Sequence, residues 1–278
     1  MFSSLWVSTV LVVVSATGLG FLVATVGGGT LAMSVLVMRY LLRLRNVGHL
    51  FATSAAVTTA MAFTLLFVRR QSLRPLWRPA LWFTMPGILA MAAGHALQHG
   101  LSSHVRMALL GLLMLLNVLF TMILPKALRP AKRLTLRTTV AGSIVGLIAG
   151  LFGGGGGFLT FPALLWSGLP AASATGSSLL SVTVFSGVAT IHNLGRCAID
   201  WHIIPLYLIS ALAGMSSGIW FGKRQQARRS RLSMQWIASG LMLLGGLYLL
   251  QHNWSSLYRP SLALYDGLKG GFDYEFTN

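Results

Sequence analysis

Long apolar stretches without charge make up most of the chain. A helix needs about 20 mostly apolar residues to cross the hydrocarbon core of a bilayer. Eight stretches meet or nearly meet that length, at residues 5–26, 50–68, 79–97, 106–124, 138–152, 172–193, 201–221 and 232–252. The first is expected to remain as a membrane helix, because it is longer than the apolar core of a signal peptide. The pattern therefore predicts an all-α polytopic membrane protein.

Two shorter apolar pieces, 30–42 and 158–169, each follow a run of glycines. A glycine costs about 1 kcal/mol in a helix interior, so a run of them should break the helix. Broken backbone at membrane depth is tolerated only where protein or a water-filled cavity covers it. The runs are Gly27, Gly28 and Gly29 in the first half and Gly153, Gly154, Gly155, Gly156 and Gly157 in the second.

The two glycine runs belong to an internal repeat. GFLVATVGGG at 20–29 aligns with GLIAGLFGGG at 146–155, and ATSAA at 52–56 aligns with ATGSS at 174–178. Each half contains five apolar segments, and because five is odd, the second half should be inverted relative to the first. We therefore expect two inverted repeats, each with a glycine-broken re-entrant helix hairpin plus three spanning helices, a plan common among transporters. The predicted units are a first repeat at 1–125, a basic linker at 126–137, a second repeat at 138–252 and a tail at 253–278 without an assigned function.

Charge is scarce and one-sided. Only 9% of the residues are charged, and 21 lysines and arginines stand against 4 acidic residues, for a formal net charge of +17. A basic chain first indicates a nucleic acid or an anionic membrane surface as partner. Nucleic-acid binding needs lysines and arginines spread over a solvated face. No charged residue occurs at 1–38 or at 138–195, so the chain lacks such a face and nucleic-acid binding is not expected. The predicted partner is the lipid bilayer.

The basic residues also predict an orientation. Fourteen of the 21 lie in three segments, at 69–78, 126–137 and 223–231. Cytoplasmic loops of membrane proteins carry an excess of lysine and arginine. With all three segments cytoplasmic, both termini fall outside. Arg39, Arg43 and Arg45 then lie on the outer side or at the mouth of the first hairpin, where two roles are open: snorkelling to the interface and attraction of an anion.

The helix starts after the glycine runs are candidate anion-binding sites. A helix start presents free backbone N–H groups and the positive end of the helix dipole, and it binds anions without a cationic side chain. The two starts, at Thr30 and Phe158, are predicted to face each other across a pseudo-two-fold axis. The alternative is that the glycines only permit close helix packing and that nearby hydroxyls bond to their own helices. Those hydroxyls are Thr30, Ser34, Thr53, Ser54, Thr160, Thr175, Ser177 and Ser178.

The remaining polar residues indicate which kind of ion the chain could transport. No acidic residue precedes Asp200. Cation-coupled and proton-coupled transporters usually carry an intramembrane carboxylate, so a cation pathway is not expected. The best polar pair near the end of an uncharged span is His192 with Asn193. Three further histidines lie near span ends, at His49, His95 and His99.

Enzymatic activity is not predicted. Ser177 or Ser178 would lie about 21 Å or more from His192 along one helix, and no acid is available to orient the histidine as in a serine hydrolase. Cys197 is the single cysteine, which leaves no disulfide or zinc cluster. The chain contains neither GxxxxGKS nor GxxxxGKT, the phosphate-binding motif of ATPases. Neither a metal nor a cofactor is expected.

A set of motifs in the second half follows a recognisable order. GLIAGLFGGGGGFLTFP at 146–162 is followed by GLP at 168–170, ATGSS at 174–178, HNLG at 192–195, DW at 200–201 and glycines at 214–222. In this order the motifs resemble the sulfite exporter TauE/SafE family, and with the echo in the first half the resemblance covers roughly 10–250. It implies a carrier of small sulfur anions, sulfite or sulfonates most often, in the bacterial inner membrane. The halves differ where Leu36 replaces the equivalent of Pro162.

The sequence thus predicts a secondary transporter that exports a small sulfur-containing anion by alternating access. A membrane potential that is negative inside favours anion exit by about 2.3 kcal/mol per charge per 100 mV. The alternatives are an uptake carrier for another small organic anion and a non-transporting membrane scaffold for sulfur metabolism. The predicted substrate-binding residues are both glycine runs together with Thr30, Thr53, Ser54, Ser177, Ser178, His192 and Asn193.

Overall fold

The described part of the protein is almost entirely helical. The computed structural model describes residues 2–26, 32–40, 46–68, 77–123, 134–152, 158–194, 203–224 and 228–257, together with Ile199 and Trp201. Within these ranges there is no strand, and the predicted all-α class is confirmed. The helices are α1 (Phe2–Val26), α2 (Ala32–Tyr40), α3 (Val47–Val68), α4 (Trp77–Leu97), α5 (Ser103–Ile123), α6 (Leu134–Leu151), α7 (Thr160–Trp166), α8 (Ala171–Leu194), α9 (Ile203–Arg224) and α10 (Arg228–Leu257).

Several of the helices are long and apolar enough to cross a bilayer. Within the described residues, these spans are Val47–Val68, Trp77–Gly100, Ser103–Phe120, Ser173–Leu194 and Ile204–Phe221. Thr9–Ala24 and Thr135–Leu151 are apolar but shorter. Large apolar side chains such as Leu89, Ile191 and Ile209 face outwards and are about 70% exposed or more. Such a surface suits contact with lipid, and a multi-pass membrane protein is confirmed.

The helices stop where the glycine runs begin. α1 ends at Val26 and α6 at Leu151, and each is followed by a short helix, α2 or α7. These short helices correspond to the two apolar pieces that were predicted to be too short to span. The glycines between them lie outside the described residues.

The helices pair in a pattern that repeats between the halves. α1 packs along α9, α4 along α6, α3 against α8, and α5 against α10. If each of α1–α5 is exchanged with the corresponding helix of α6–α10, the pair α1–α9 becomes α6–α4. The pairs α3–α8 and α5–α10 stay unchanged. The same set of contacts is therefore built twice, as two structurally related halves require.

Glycines hold the repeated pairs at very close range. A Cβ added to Gly20 would collide with the carbonyl oxygen of Ala211 on α9, and one added to Gly146 would collide with that of Gly87 on α4. Gly20 and Gly146 are aligned in the sequence repeat, and their partners occupy equivalent places on α9 and α4. Close backbone approach through small residues is a common way for membrane helices to associate. The α1–α9 and α4–α6 pairs thus require glycine at these positions, because any larger side chain would collide with the neighbouring backbone.

Contacts at one end of the bundle establish the direction of the helices. The ring of Phe51, at the start of α3, lies 5.6 Å from that of Phe152, just after α6. Arg106, at the start of α5, lies over Phe51 at 6.0 Å. His104 of α5 bonds Asn253, in α10, at 3.1 Å. The starts of α3 and α5 and the ends of α6 and α10 therefore meet at one end.

The same end holds the described histidines, and we call it the histidine end. The ends of α4 and α8 also lie there, because His95 bonds Gly150 at the end of α6 and its ring contacts that of His192. The other described histidines, His49, His99, His104 and His252, lie at the starts or ends of the same set of helices. His202 lies outside the described residues. The end of α2, where Arg39 lies, is also directed toward this end, since Tyr40 contacts Tyr248 in the second half of α10.

Most of the described basic residues lie at the opposite end of the bundle, and we call it the basic end. It gathers the ends of α3, α5 and α9 and the starts of α4, α6, α8 and α10. Apart from the start of α8, these helix ends flank the basic segments 69–78, 126–137 and 223–231 in the sequence. The bundle is therefore polarised, with most of the described basic residues at one end and the described histidines at the other.

Tyr207 gives a first test of the packing. Its side chain is fully buried in α9, and its hydroxyl has no hydrogen-bond partner among the described residues. The equivalent position in α4 holds Phe83. Because an unpaired buried hydroxyl costs about 1–3 kcal/mol, Tyr207→Phe should leave the thermal stability in detergent unchanged or raise it. A clear loss of stability would mean that the hydroxyl is bonded to a residue outside the described ranges.

Candidate functional site

Part of the predicted site lies outside the described residues. Gly27, Gly28, Gly29 and Thr30 fall between α1 and α2. In the second half, Gly153, Gly154, Gly155, Gly156 and Gly157 fall between α6 and α7. Their role as ligands stays a prediction. The helices before and after the runs are described, and they show where the other predicted side chains lie.

Two of the predicted hydroxyls bond to their own helices. Ser54 donates to the carbonyl oxygen of Phe51 at 2.9 Å, and Ser178 donates to that of Thr175 at 2.9 Å. Both serines are buried, and Thr53 is buried beside Ser54. Intrahelical bonds of this kind satisfy a hydroxyl in an apolar span without a ligand.

Two other hydroxyls have no such partner. Thr160 begins α7 and Ser177 lies in α8, and both side chains are fully buried. Neither Oγ has a hydrogen-bond partner among the described residues. A buried hydroxyl left unpaired costs about 1–3 kcal/mol, so a native structure rarely retains one without a reason. Thr160 and Ser177 are therefore the described side chains best suited to meet a polar ligand.

The α7–α8 hairpin places these two hydroxyls at the same depth. The helices pack against each other and are joined by a turn at 167–170. In that turn Gly168 has a φ of 96°, a conformation that favours glycine. Thr160 and Ser177 each lie about seven residues from the turn, which is roughly 10 Å of helix. Both hydroxyls thus stand level with each other, and Thr160 follows the second glycine run by three residues in the sequence.

Asn117 fixes the start of the same hairpin. Its Nδ2 donates to the carbonyl oxygen of Phe158 at 3.0 Å, and the Asn117 side chain is buried in α5. The bond ties the chain that follows the glycine run to a spanning helix. The sequence prediction did not include Asn117, although an asparagine within an apolar span is a signal for such a contact.

His192 and Asn193 lie far from the paired hydroxyls. They end α8 at the histidine end, roughly 22 Å of helix from Ser177. The His192 ring lies edge-on to that of His95, with centroids 4.4 Å apart. Asn193 is half-buried, and its Nδ2 has no partner among the described residues. The residues of the predicted site thus fall into two places, one in the α7–α8 hairpin and one at the histidine end.

The two helices of the hairpin, α7 and α8, carry no lysine, arginine or acidic side chain. The four acidic residues of the chain all lie outside the described ranges. Within those ranges no three His, Cys, Asp or Glu side chains come together as metal ligands. The hairpin offers neutral hydrogen-bond donors in a buried setting, which suits an anion better than a metal ion.

Comparisons with known proteins agree on a family. A family model described as "Sulfite exporter TauE/SafE" matches residues 9–249. Two relatives from strains of Xylella fastidiosa, 9a5c and Temecula1, are each called "Probable membrane transporter protein". They are 27% and 26% identical to this chain over 260 residues, covering 90% of this chain and 98% of each relative. No solved structure matches the chain.

Proposed function

Because the chain belongs to the sulfite exporter TauE/SafE family of membrane transporters, we propose that it carries a small sulfur-containing anion, sulfite or an organosulfonate, out of the cell by alternating access. The observation that carries this proposal is the pair of fully buried, unpartnered hydroxyls of Thr160 and Ser177. An oxyanion only accepts hydrogen bonds, and a hydroxyl can donate one. The hydroxyls therefore match a small oxyanion, and the helices that carry them, α7 and α8, contain no lysine, arginine, aspartate or glutamate.

Backbone supplies the remaining donors in this proposal. The runs Gly27–Gly28–Gly29 and 153–157 expose N–H groups close to the anion, and Thr30 adds a hydroxyl in the first half. Neutral donors hold an anion at a helix break without a permanent cation. Ser54 and Ser178, which bond to their own helices, shape the walls near Thr53 and Ser177. A site built this way binds the anion weakly enough to release it on either side.

Alternating access fits a protein made of two related halves. The pairs α3–α8 and α5–α10 each join a helix of the first half to the corresponding helix of the second half. α5 and α10 run antiparallel, and this supports an inverted repeat. In transporters of this plan, one half rocks against the other about a central site. The closely packed α1–α9 and α4–α6 pairs move as rigid units in this proposal.

The polarised bundle suggests how the protein sits in the membrane. The basic end faces the cytoplasm, in keeping with the positive-inside rule, and the histidine end and both termini face outwards. The membrane is the bacterial inner membrane. With this orientation the membrane potential drives an anion from the basic end toward the histidine end.

Purified protein in liposomes tests the proposal. Vesicles are loaded with labelled sulfite at alkaline pH, where sulfite is a dianion, and a potassium gradient with valinomycin sets the potential. We expect saturable efflux that an inside-negative potential accelerates and that unlabelled sulfonate inhibits. Flux of carboxylates in preference to sulfur anions would favour an uptake carrier of another class. No flux of sulfite, sulfonate or thiosulfate would contradict transport and leave a scaffold role.

A further inference from the structure

The hairpin of α7 and α8, the second hairpin, has a structural counterpart in α2 and α3, the first hairpin. In the sequence repeat, Thr160 aligns with Ser34 and Ser177 aligns with Ala55. All four side chains are buried. The packing also repeats, since α2 contacts α3 as α7 contacts α8. The two positions that carry the unpaired hydroxyls can therefore be compared between the halves.

The first hairpin does not repeat the unpaired hydroxyls. Ala55 has no hydroxyl, so the counterpart of Ser177 is apolar. The described candidate hydroxyls of this hairpin all interact with another residue: Ser34, Thr53 and Ser54. Among the described side chains of α2 and α3, no buried oxygen lacks a hydrogen-bond partner. Buried hydroxyls that are ready to meet a ligand are thus a feature of the second hairpin.

The two related places lie toward opposite ends of the bundle. Ser177 is roughly 9 Å of helix from the start of α8, which lies at the basic end. Ala55 is roughly 12 Å of helix from the start of α3, which lies at the histidine end. The helices themselves are about 36 and 33 Å long. Each hairpin therefore places its pair of positions in a different half of the bundle.

The difference between the hairpins affects how well each would hold an anion. A hydroxyl that already has a partner must give up that bond before it binds a ligand, whereas an unpaired buried hydroxyl gains the whole hydrogen bond. For a charged ligand, each such bond corresponds to about tenfold to a hundredfold in affinity. Two of these bonds are available in the second hairpin, and the first hairpin offers neither.

We propose that each chain binds one anion, at the second hairpin, and that the related place in the first hairpin binds none. This inference rests on the proposed function, because it assigns the transported anion to one of two related hairpins. Backbone of the first half contributes to that single site and forms no second one. In the proposed orientation the site lies nearer the cytoplasm. The anion is therefore loaded from the cytoplasmic side and meets no second site before it leaves.

The number of anions bound per chain is the direct measurement. Purified protein in detergent is dialysed to equilibrium against labelled sulfite, thiosulfate or methanesulfonate. We expect saturation at one anion per chain with at least one of these anions. In the Thr160→Val, Ser177→Ala double variant, that binding should weaken at least about 100-fold, with no second class of binding left. Saturation at two anions per chain, or a saturable site that survives in the double variant, overturns the inference.

Matched single variants compare the two hairpins at one aligned position. Thr160→Val should weaken binding about 10-fold to 100-fold, whereas Ser34→Ala should change it by less than about threefold. Thermal unfolding without anion shows whether each variant is folded. Equal weakening in the two variants, or greater weakening in Ser34→Ala, would mean that both hairpins hold the anion. If either variant fails to fold, the number of anions bound by the wild type decides between one site and two.

The outcomes separate this inference from the proposed function. Two anions bound per chain, together with flux in vesicles, overturns the single site and leaves transport intact. One anion bound equally well by wild type and double variant places the site elsewhere and also overturns the inference. Absence of both binding and flux for all three anions overturns the proposed function and the inference with it.

Discussion

Replacing Gly20 by alanine should destabilise the protein, whereas the same replacement at Gly18 should not. A Cβ at Gly20 would overlap the backbone of Ala211 in α9, and one at Gly18 would meet nothing within 4 Å. Forcing an extra methyl group into a packed contact costs about 1–3 kcal/mol. Alanine in an open helical position gains about 0.5–1 kcal/mol over glycine. Two substitutions two residues apart on one helix thus have opposite expected signs.

The equivalent contact between α6 and α4 allows a second comparison. Gly146→Ala should destabilise the protein about as much as Gly20→Ala, since its Cβ would overlap the carbonyl of Gly87. Gly240, in α10, has open space around it and serves as a further control. The measurement is thermal unfolding of the purified variants in one detergent. Equal melting temperatures for Gly20→Ala and Gly18→Ala would contradict the close pairing of α1 with α9.

The double variant Thr160→Val with Ser177→Ala should lose transport without losing stability. A hydrogen bond to a charged group contributes about 1.5–3 kcal/mol, and about 1.4 kcal/mol corresponds to a factor of ten in affinity. Each lost hydroxyl should therefore weaken anion binding about 10-fold to 100-fold. Because neither oxygen has a partner among the described residues, the empty protein should be as stable as wild type or more so. Sulfite flux in vesicles and thermal unfolding without anion are the two measurements.

A matched control for this variant lies on the same helix. Ser186 is fully buried in α8 and donates to the carbonyl oxygen of Val182 at 2.6 Å. Ser186→Ala should retain sulfite flux and lose at most about 1 kcal/mol of stability. Wild-type flux in the double variant would remove Thr160 and Ser177 from the site. Strong destabilisation in that variant would indicate that the two hydroxyls hold the hairpin together.

The apolar pattern predicts the helices well because membrane spans are defined by length and composition. The sequence also predicts the two breaks. α1 ends at Val26, directly before the first glycine run, and α6 ends at Leu151, with Phe152 between it and the second run. The sequence does not predict which helices pair. A helix that is apolar all round does not show which face meets α9 and which meets lipid. The contact of Gly20 with Ala211 depends on the tertiary arrangement.

The site residues show the same limit. Ser177 and Ser178 are adjacent and both buried, but only Ser178 bonds within its helix. The difference depends on which direction each side chain faces, and sequence spacing alone does not provide it. Likewise His95 and His192 were recognised separately near span ends. Their contact joins residues far apart in the chain, and it becomes visible only once α4 and α8 are placed side by side.

We propose that the α7–α8 hairpin binds a small sulfur oxyanion through neutral hydroxyls. A ligand that binds only the folded state raises the free energy of unfolding by about 2.7 kcal/mol at a hundred times its Kd. The direct measurement is therefore the melting temperature of the purified protein in detergent, with increasing sulfite, methanesulfonate, thiosulfate or chloride. We predict a saturable rise with at least one sulfur anion, none with chloride, and none in the Thr160→Val, Ser177→Ala double variant. An equal rise with chloride, an equal rise in the double variant, or no rise with any sulfur anion would contradict it.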